Sequence, residues 1–298
     1  MRHTGVLTHT AAGVLLASVL LTGCGGGSDP ESSPKEAASP DEAEWTAAYA
    51  TYTEVGDAFN AAIGGATDYQ AAVRKVHDKS PAAVLTDEAV AAALAEQQEL
   101  AATRDEEIAA LGDEPAMTDP ELKEAYDVFA TAAEEMNTFQ DGYNESMPVL
   151  LRSLDVCPDI FSVEVPNTEL IFDPGVYSQK WITSHNHAAA PCRELLALLD
   201  DSGNYRIREY AENWRKVIDQ RNDLMTAMGD GKVGFDQTVT RLERINGAFT
   251  KRHDKLTRFS DELAKVSAVE EYQALDAIFV ENGAKPESES PSTSPSSS

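Results

Sequence analysis

Two histidines in the second half of the chain are the side chains best suited to hold a metal ion. They lie in the segment Ser184-His185-Asn186-His187. Imidazole nitrogens commonly bind zinc, copper, iron and nickel. Positions i and i+2 do not share a face of a helix, so the two rings could converge on one ion only if the segment is a loop or a strand. No third ligand is evident, and a polar surface segment without a metal is the alternative interpretation.

A glycine-rich turn at positions 229–234, with the sequence Gly-Asp-Gly-Lys-Val-Gly, is a second candidate for metal binding. It resembles the second half of an EF-hand calcium loop, in which Asp230 takes the fifth position and Gly231 the sixth. Calcium needs six or more oxygen ligands, largely from carboxylates, but Thr226 and Met228 stand where two of those carboxylates belong. A plain turn between two helices is therefore the alternative to a calcium site at Asp230.

Other chemistry-bearing motifs are missing from the sequence. It contains no HExxH, GxSxG or P-loop pattern, and the GxGxxG string in the 229–234 turn follows a predicted helix and not the strand that a dinucleotide site requires. The formal net charge of −27, from 24 basic and 51 acidic residues, repels nucleic acids. The sequence therefore predicts no cofactor and no nucleic-acid partner. It favours a non-enzymatic binding or scaffolding domain over an enzyme, with a metal-binding protein as the alternative.

The cysteines divide into two groups. Cys157 and Cys192 form an even pair in the second half of the chain, whereas Cys24 stands alone near the start. The distant pair has no CxxC spacing and no third thiol that would indicate a metal site. We expect a disulfide between Cys157 and Cys192, because such bridges persist in oxidising compartments.

The first residues have the layout of a secretory signal peptide. Arg2 provides an early positive charge, and an uncharged apolar run extends from Ala11 to Leu21. The run is shorter than the roughly 20 residues that a membrane-spanning helix needs. It ends in Leu-Thr-Gly directly before Cys24, which resembles the lipobox of bacterial lipoproteins.

The resemblance to lipoproteins implies both processing and location. In that class the cysteine thiol receives a diacylglyceryl group, and a signal peptidase removes the residues before it. The expected mature chain therefore begins at Cys24 and is lipid-anchored on the extracytoplasmic face of the cell membrane. A protein or cell-envelope partner would lie within its reach. The alanine-rich, acidic and helical composition is similar to that of surface lipoproteins of high-GC Gram-positive bacteria.

Composition divides the chain into four segments. Residues 1–23 are the predicted signal peptide, and residues 24–40 form a predicted flexible tether rich in glycine, serine and proline. Residues 41–283 carry the apolar periodicity of a helical domain. Residues 284–298 have little apolar surface to bury, so a disordered tail rich in serine and proline is expected.

Apolar residues within 41–283 recur at three- and four-residue steps. The first such stripe runs from Trp45 through Tyr52 to Phe59, and the glycine pair Gly64-Gly65 is expected to end that helix. Three prolines interrupt the pattern between Cys157 and Gly175, so residues of about 157–192 are expected to form an irregular, disulfide-bounded insert, either an extended excursion or one or two short strands. The predicted fold is all-α, a bundle of long antiparallel helices with this insert.

Overall fold

The structure, a computed structural model, describes residues 39–163, 173–258, 262 and 265–284, and within these ranges it contains helices and no strands. The predicted all-α class is confirmed, while the antiparallel course of neighbouring helices stays a prediction. Short 3-10 turns occupy Pro81–Leu85, Pro115–Thr118 and Cys157–Ser162. The seven described α-helices are α1 Glu42–Lys79, α2 Glu88–Gly112, α3 Pro120–Val156, α4 Pro174–Ala197, α5 Tyr205–Gly229, α6 Phe235–Leu256 and α7 Val269–Glu281.

Side-chain caps begin several of these helices. Asp41 accepts a hydrogen bond from the backbone N–H of Glu44, and the Glu44 carboxylate accepts one from the Asp41 N–H. Such reciprocal capping satisfies two backbone donors that the first turn of a helix leaves without partners. Asp119 caps α3 in a simpler way, by accepting from two backbone N–H groups, and proline follows it as the first helical residue.

Helix α1 does not end at Gly64-Gly65, contrary to the sequence-based expectation. It continues without interruption to Lys79. A Cβ atom added at Gly65 would lie 2.5 Å from Cδ1 of Leu100 in α2, whereas one added at Gly64 would meet nothing within 4 Å. Gly65 therefore lets α2 approach α1 closely, and packing between the two helices outweighs the low helix propensity of glycine.

The prediction of an irregular insert is wrong for the second half of residues 157–192. Helix α4 begins at Pro174 and carries the chain in regular helix past Cys192. Pro174 is the first residue of α4, where a missing N–H costs nothing, and Asp173 caps that turn. The proline that suggested interruption thus starts a helix. The proposed short strands fall partly on residues 164–172, which lie outside the described residues.

The buried apolar residues form two main clusters. The first core joins α1, the end of α2, the first half of α3 and α7, and includes Trp45, Phe129 and Phe279. The second core joins the end of α3 with α4, α5 and α6 around Trp214. Ala284 is still buried and its N–H bonds to the Phe279 carbonyl, so the folded part reaches one residue beyond the predicted boundary. Within the described ranges, no helix has the length and apolar character that crossing a membrane requires.

Candidate binding groove

The structure places the two candidate metal-binding histidines on opposite faces of α4. His185 is fully buried, whereas His187 is exposed to solvent. Because the segment is helical, the condition for the two rings to converge is not met. Nowhere in the described ranges do three or more histidine, cysteine or acidic side chains form a group that could hold a metal ion.

Both ring nitrogens of His185 are engaged by neighbouring side chains. Nε2 accepts a hydrogen bond of 3.1 Å from Nε of Arg221, so the ring proton lies on Nδ1, which donates to Oδ1 of Asn222 at 3.0 Å. Burial, followed by the nearby Arg221 cation, lowers the pKa of His185 to about 4. His185 is therefore neutral at physiological pH and acts as an internal hydrogen-bonding group.

Arg221 is the centre of this buried network. Its remaining nitrogens donate to Oδ1 of Asn246 at 2.7 Å and to the Ile160 carbonyl at 3.1 Å. The guanidinium also lies between two aromatic rings, 5.1 Å from the centroid of Phe161 and 5.4 Å from that of Trp181. Burial lowers the pKa of Arg221 to about 10, which leaves it charged at neutral pH. The network is enclosed and its main groups have partners, so it stabilises α4, α5 and α6 and offers no open site.

Asp230 occupies the turn between α5 and α6. It follows the last residue of α5 and pairs with Lys232, whose Nζ lies 2.8 Å from its carboxylate. Gly231 has a φ of 70°, the left-handed conformation that commonly ends a helix. Thr226 and Met228 lie within α5 itself, so the residues that an EF-hand would need ahead of Asp230 form regular helix. This arrangement is a turn connecting two helices.

The predicted disulfide is confirmed. Cys157 and Cys192 are joined, with their Cα atoms 4.8 Å apart. The bridge ties the 3-10 turn at the end of α3 to α4 within the second core. Cys24, the predicted site of lipidation, lies outside the described residues.

A concave apolar groove lies beside the first turn of α7. Helix α7 packs against α3 and against the aromatic residues of α1, but α1 and α3 both extend past its first residue. The described residues leave the surface between α1 and α3 uncovered where α7 begins. The resulting groove has a volume of about 390 Å³, within the usual range for small-molecule sites. Its lining residues are Thr53, Gly56, Asp57, Phe59, Asn60, Ile63, Phe129, Met136, Ala268, Val269 and Tyr272.

Tyr272 fixes the inner end of the groove. Its ring stacks on Tyr52 with centroids 4.3 Å apart, and its hydroxyl donates to the Tyr52 carbonyl at 2.9 Å. The Tyr52 hydroxyl donates in return to the Tyr272 carbonyl at 3.3 Å. A Cβ atom at Gly56 would lie 2.5 Å from the Tyr272 hydroxyl oxygen, so only glycine allows this approach. These contacts join α1 to α7 at this point.

Two apolar side chains on the rim of the groove are about half exposed to solvent. Ile63 is 51% exposed and Val269 is 56% exposed. Phe59 and Met136 lie deeper and are partly buried against the first core. Exposed apolar surface that is concave and framed by polar residues is typical of binding sites. The polar residues here are Thr53, Asp57 and Asn60 on α1.

The sequence did not identify this groove. The stripe through Tyr52 and Phe59 predicted a buried helix face, and that face is indeed part of the first core. One signal was present: Ile63 falls beside the stripe in a region where a solvent-facing residue would normally be polar. Nothing in the sequence showed that α7 would leave the α1–α3 surface uncovered at this level.

Comparison with known proteins adds no further assignment. No protein-family model matches the chain, and no curated protein or solved structure matches it either.

Proposed function

We propose that this chain is a lipid-anchored, extracytoplasmic binding protein, and that the groove beside α7 holds a small apolar ligand. The groove is the observation that carries the proposal. It combines a volume of about 390 Å³ with walls formed by Phe59, Phe129, Met136 and Tyr272. Covering such walls removes apolar surface from water, at about 25 cal/mol for each Å² buried.

Catalysis has less support than binding. The polar groups that line the groove are Thr53, Asp57, Asn60 and the Tyr272 hydroxyl. The Thr53 hydroxyl donates to the Tyr49 carbonyl, and the Tyr272 hydroxyl donates to Tyr52. This set contains no nucleophile paired with a base, which acyl or phosphoryl transfer would require. A binding function, and not a reaction, therefore follows best from the lining.

A fluorescent apolar probe tests the binding proposal. We expect the neutral dye Nile red to bind the full chain saturably, with an emission increase. The full chain would carry Cys24→Ser so that no lipid is attached. Asn60→Trp places a large side chain at the exposed wall of the groove and should abolish this binding.

The matched control is Ala71→Trp, which adds the same side chain at another exposed position of α1, about 16 Å further along the helix. It should leave Nile red binding unchanged. A dye that does not bind, or that binds equally to the Asn60→Trp variant, would contradict the proposal.

The anchoring part of the proposal rests on the sequence around Cys24. The apolar run that ends in Leu-Thr-Gly, followed directly by this cysteine, supports lipidation. Two or more acyl chains give stable membrane attachment, which a single chain does not. Cys24→Ser should move the protein from the membrane fraction to the soluble fraction and prevent incorporation of labelled palmitate. Retention of label in the variant would refute lipidation at Cys24.

A further inference from the structure

We infer that the ligand of the groove is a small, freely diffusing amphiphile with an apolar body and a positively charged head group, and that the head group lies beside Asp57. This inference rests on the proposed function and adds the chemical class of the ligand. It depends on the charges around the groove, on the partners of the nearby cations and on the aromatic walls.

The helices that line the groove are depleted of positive charge. Helix α1 contains no lysine or arginine from Glu42 to Val73, and α7 contains none at all. On these two helices, five acidic residues lie at, or within one helical turn of, positions that line the groove: Glu54 and Asp57 of α1, and Glu270, Glu271 and Asp276 of α7. Negative charge concentrated around a concave apolar site raises the local concentration of cations and repels anions.

Two cations on the helices around the groove already have acidic partners. Arg104 lies 6.0 Å from the centroid of Phe59, but its guanidinium is paired with Asp105 at 3.0 Å and with Asp141 at 2.9 Å. Lys123 of α3 is paired with Asp127. Neither cation therefore supplies a free positive charge that would attract an anionic ligand into the groove.

Asp57 is placed to receive a cation. It lines the groove from the exposed side of α1 and forms no ion pair with any described residue. Its negative charge reaches the inner end of the groove: burial raises the pKa of Tyr272, and the carboxylates of Asp276 and Asp57 raise it further. The first turn of α7 also faces this region, and Glu270 and Glu271 offset the partial positive charge of that helix end.

The aromatic walls suit the same ligand. The rings of Phe59, Phe129 and Tyr272 line the groove. Their faces attract cations, an effect that is strongest where water is excluded, and their area favours an apolar chain. An ammonium group at the rim, attached to a short alkyl chain, would satisfy both the carboxylate and the rings. An alkyl carboxylate would satisfy the rings only.

Three ligands built on an eight-carbon chain separate the effect of charge from that of apolar contact. Octyltrimethylammonium, 1-octanol and octanoate are titrated calorimetrically, below micelle formation, into the Cys24→Ser full chain. We expect the ammonium to bind most tightly and octanoate to bind at least about tenfold more weakly. Raising the salt concentration should reduce this difference, because exposed charges are screened.

Asp57→Asn removes the charge without changing the size of the side chain, and should weaken ammonium binding about fivefold. Asp68→Asn is the matched control: the same change at an exposed site on α1, about 16 Å away and beyond the Debye length. It should alter binding by less than about twofold. Octanol binding should be insensitive to both substitutions.

The outcomes distinguish this inference from the proposed function. If octanol and octanoate bind as tightly as the ammonium, or if Asp57→Asn has no effect, the cationic ligand class is overturned. The groove itself still stands in that case, provided that Asn60→Trp abolishes binding. If none of the three ligands binds, or if Asn60→Trp leaves their binding unchanged, the proposed function fails as well.

Discussion

The second core encloses a cation and a neutral histidine that both have hydrogen-bond partners, whereas the first core leaves apolar groups open to solvent. Arg221 and His185 are buried and hydrogen-bonded within the second core. At the edge of the first core, Ile63 and Val269 remain about half exposed. Removing one partner of a buried charge destabilises the fold, whereas covering an exposed apolar surface with a ligand is favourable. This contrast agrees with the proposal that the second core serves stability and that the groove beside the first core binds a ligand.

Removing the disulfide should produce the largest effect on the second core. The double variant Cys157→Ser, Cys192→Ser releases a bridge with a sequence separation of 35 residues. In the chain-entropy description this lowers the free energy of unfolding by about 4 kcal/mol. Chemical denaturation measures the loss. Nile red binding should persist under conditions where the variant is still folded. Loss of binding under those conditions would show that the groove depends on the disulfide of the second core.

Acid should destabilise the second core through His185. Its folded-state pKa of about 4 lies below the ordinary value of 6.5, so the unfolded chain binds the proton more readily. The contribution of His185 is complete above about pH 6.5 and is lost as the pH falls toward 4, by about 3 kcal/mol in total. His253, whose pKa burial also lowers, acts in the same direction.

Denaturation curves between pH 7 and pH 5 test this dependence. The free energy of unfolding should fall more steeply with decreasing pH in the unaltered chain than in His185→Gln, which retains polar atoms but cannot titrate. Equal slopes in the two proteins would show that His185 is not buried in its neutral form.

The smallest effects are expected in the groove. Asp57→Asn and Asn60→Trp change exposed side chains, so each should alter the free energy of unfolding by no more than about 0.5 kcal/mol. Both should nevertheless change ligand binding. A loss of several kcal/mol in either variant would mean that the groove is part of the stabilising core, and the comparison would then no longer hold.

The sequence predicted much of the fold from local patterns. Apolar periodicity predicted most of the helices, and the count of cysteines predicted the bridge between Cys157 and Cys192. The errors came where tertiary contacts decide the outcome. Gly65 continues a helix because Leu100 packs against it, and Pro174 begins a helix that Asp173 caps.

The groove could not be predicted for a related reason. Periodicity shows which face of α1 is apolar, but not how much of that face a neighbour covers. Tyr52 and Phe59 occupy the same stripe, yet Tyr52 is buried against α7 while Phe59 lines the open groove. The difference depends on where α7 begins relative to α1, and the sequence of neither helix contains that information. The pairing of His185 with Arg221 across two helices was unpredictable for the same reason.

Helix α3 belongs to both cores. Leu122 and Phe129 near its start pack into the first core, and Leu150 near its end packs into the second. Between them, Asn204 at the start of α5 donates through Nδ2 to the Phe139 carbonyl at 2.9 Å. Neither core is complete without α3, so the two should lose their structure together and not in separate steps.

Shared unfolding would link the groove to the distant core without any change of shape. A ligand that binds only the folded chain raises the free energy of its global opening. We expect the amide hydrogens in the buried part of α5 to exchange only when the second core opens, and therefore to exchange more slowly when the groove is occupied. Because α3 is part of both cores, slower hydrogen exchange at Trp214 would then indicate that a ligand is bound beside Tyr272.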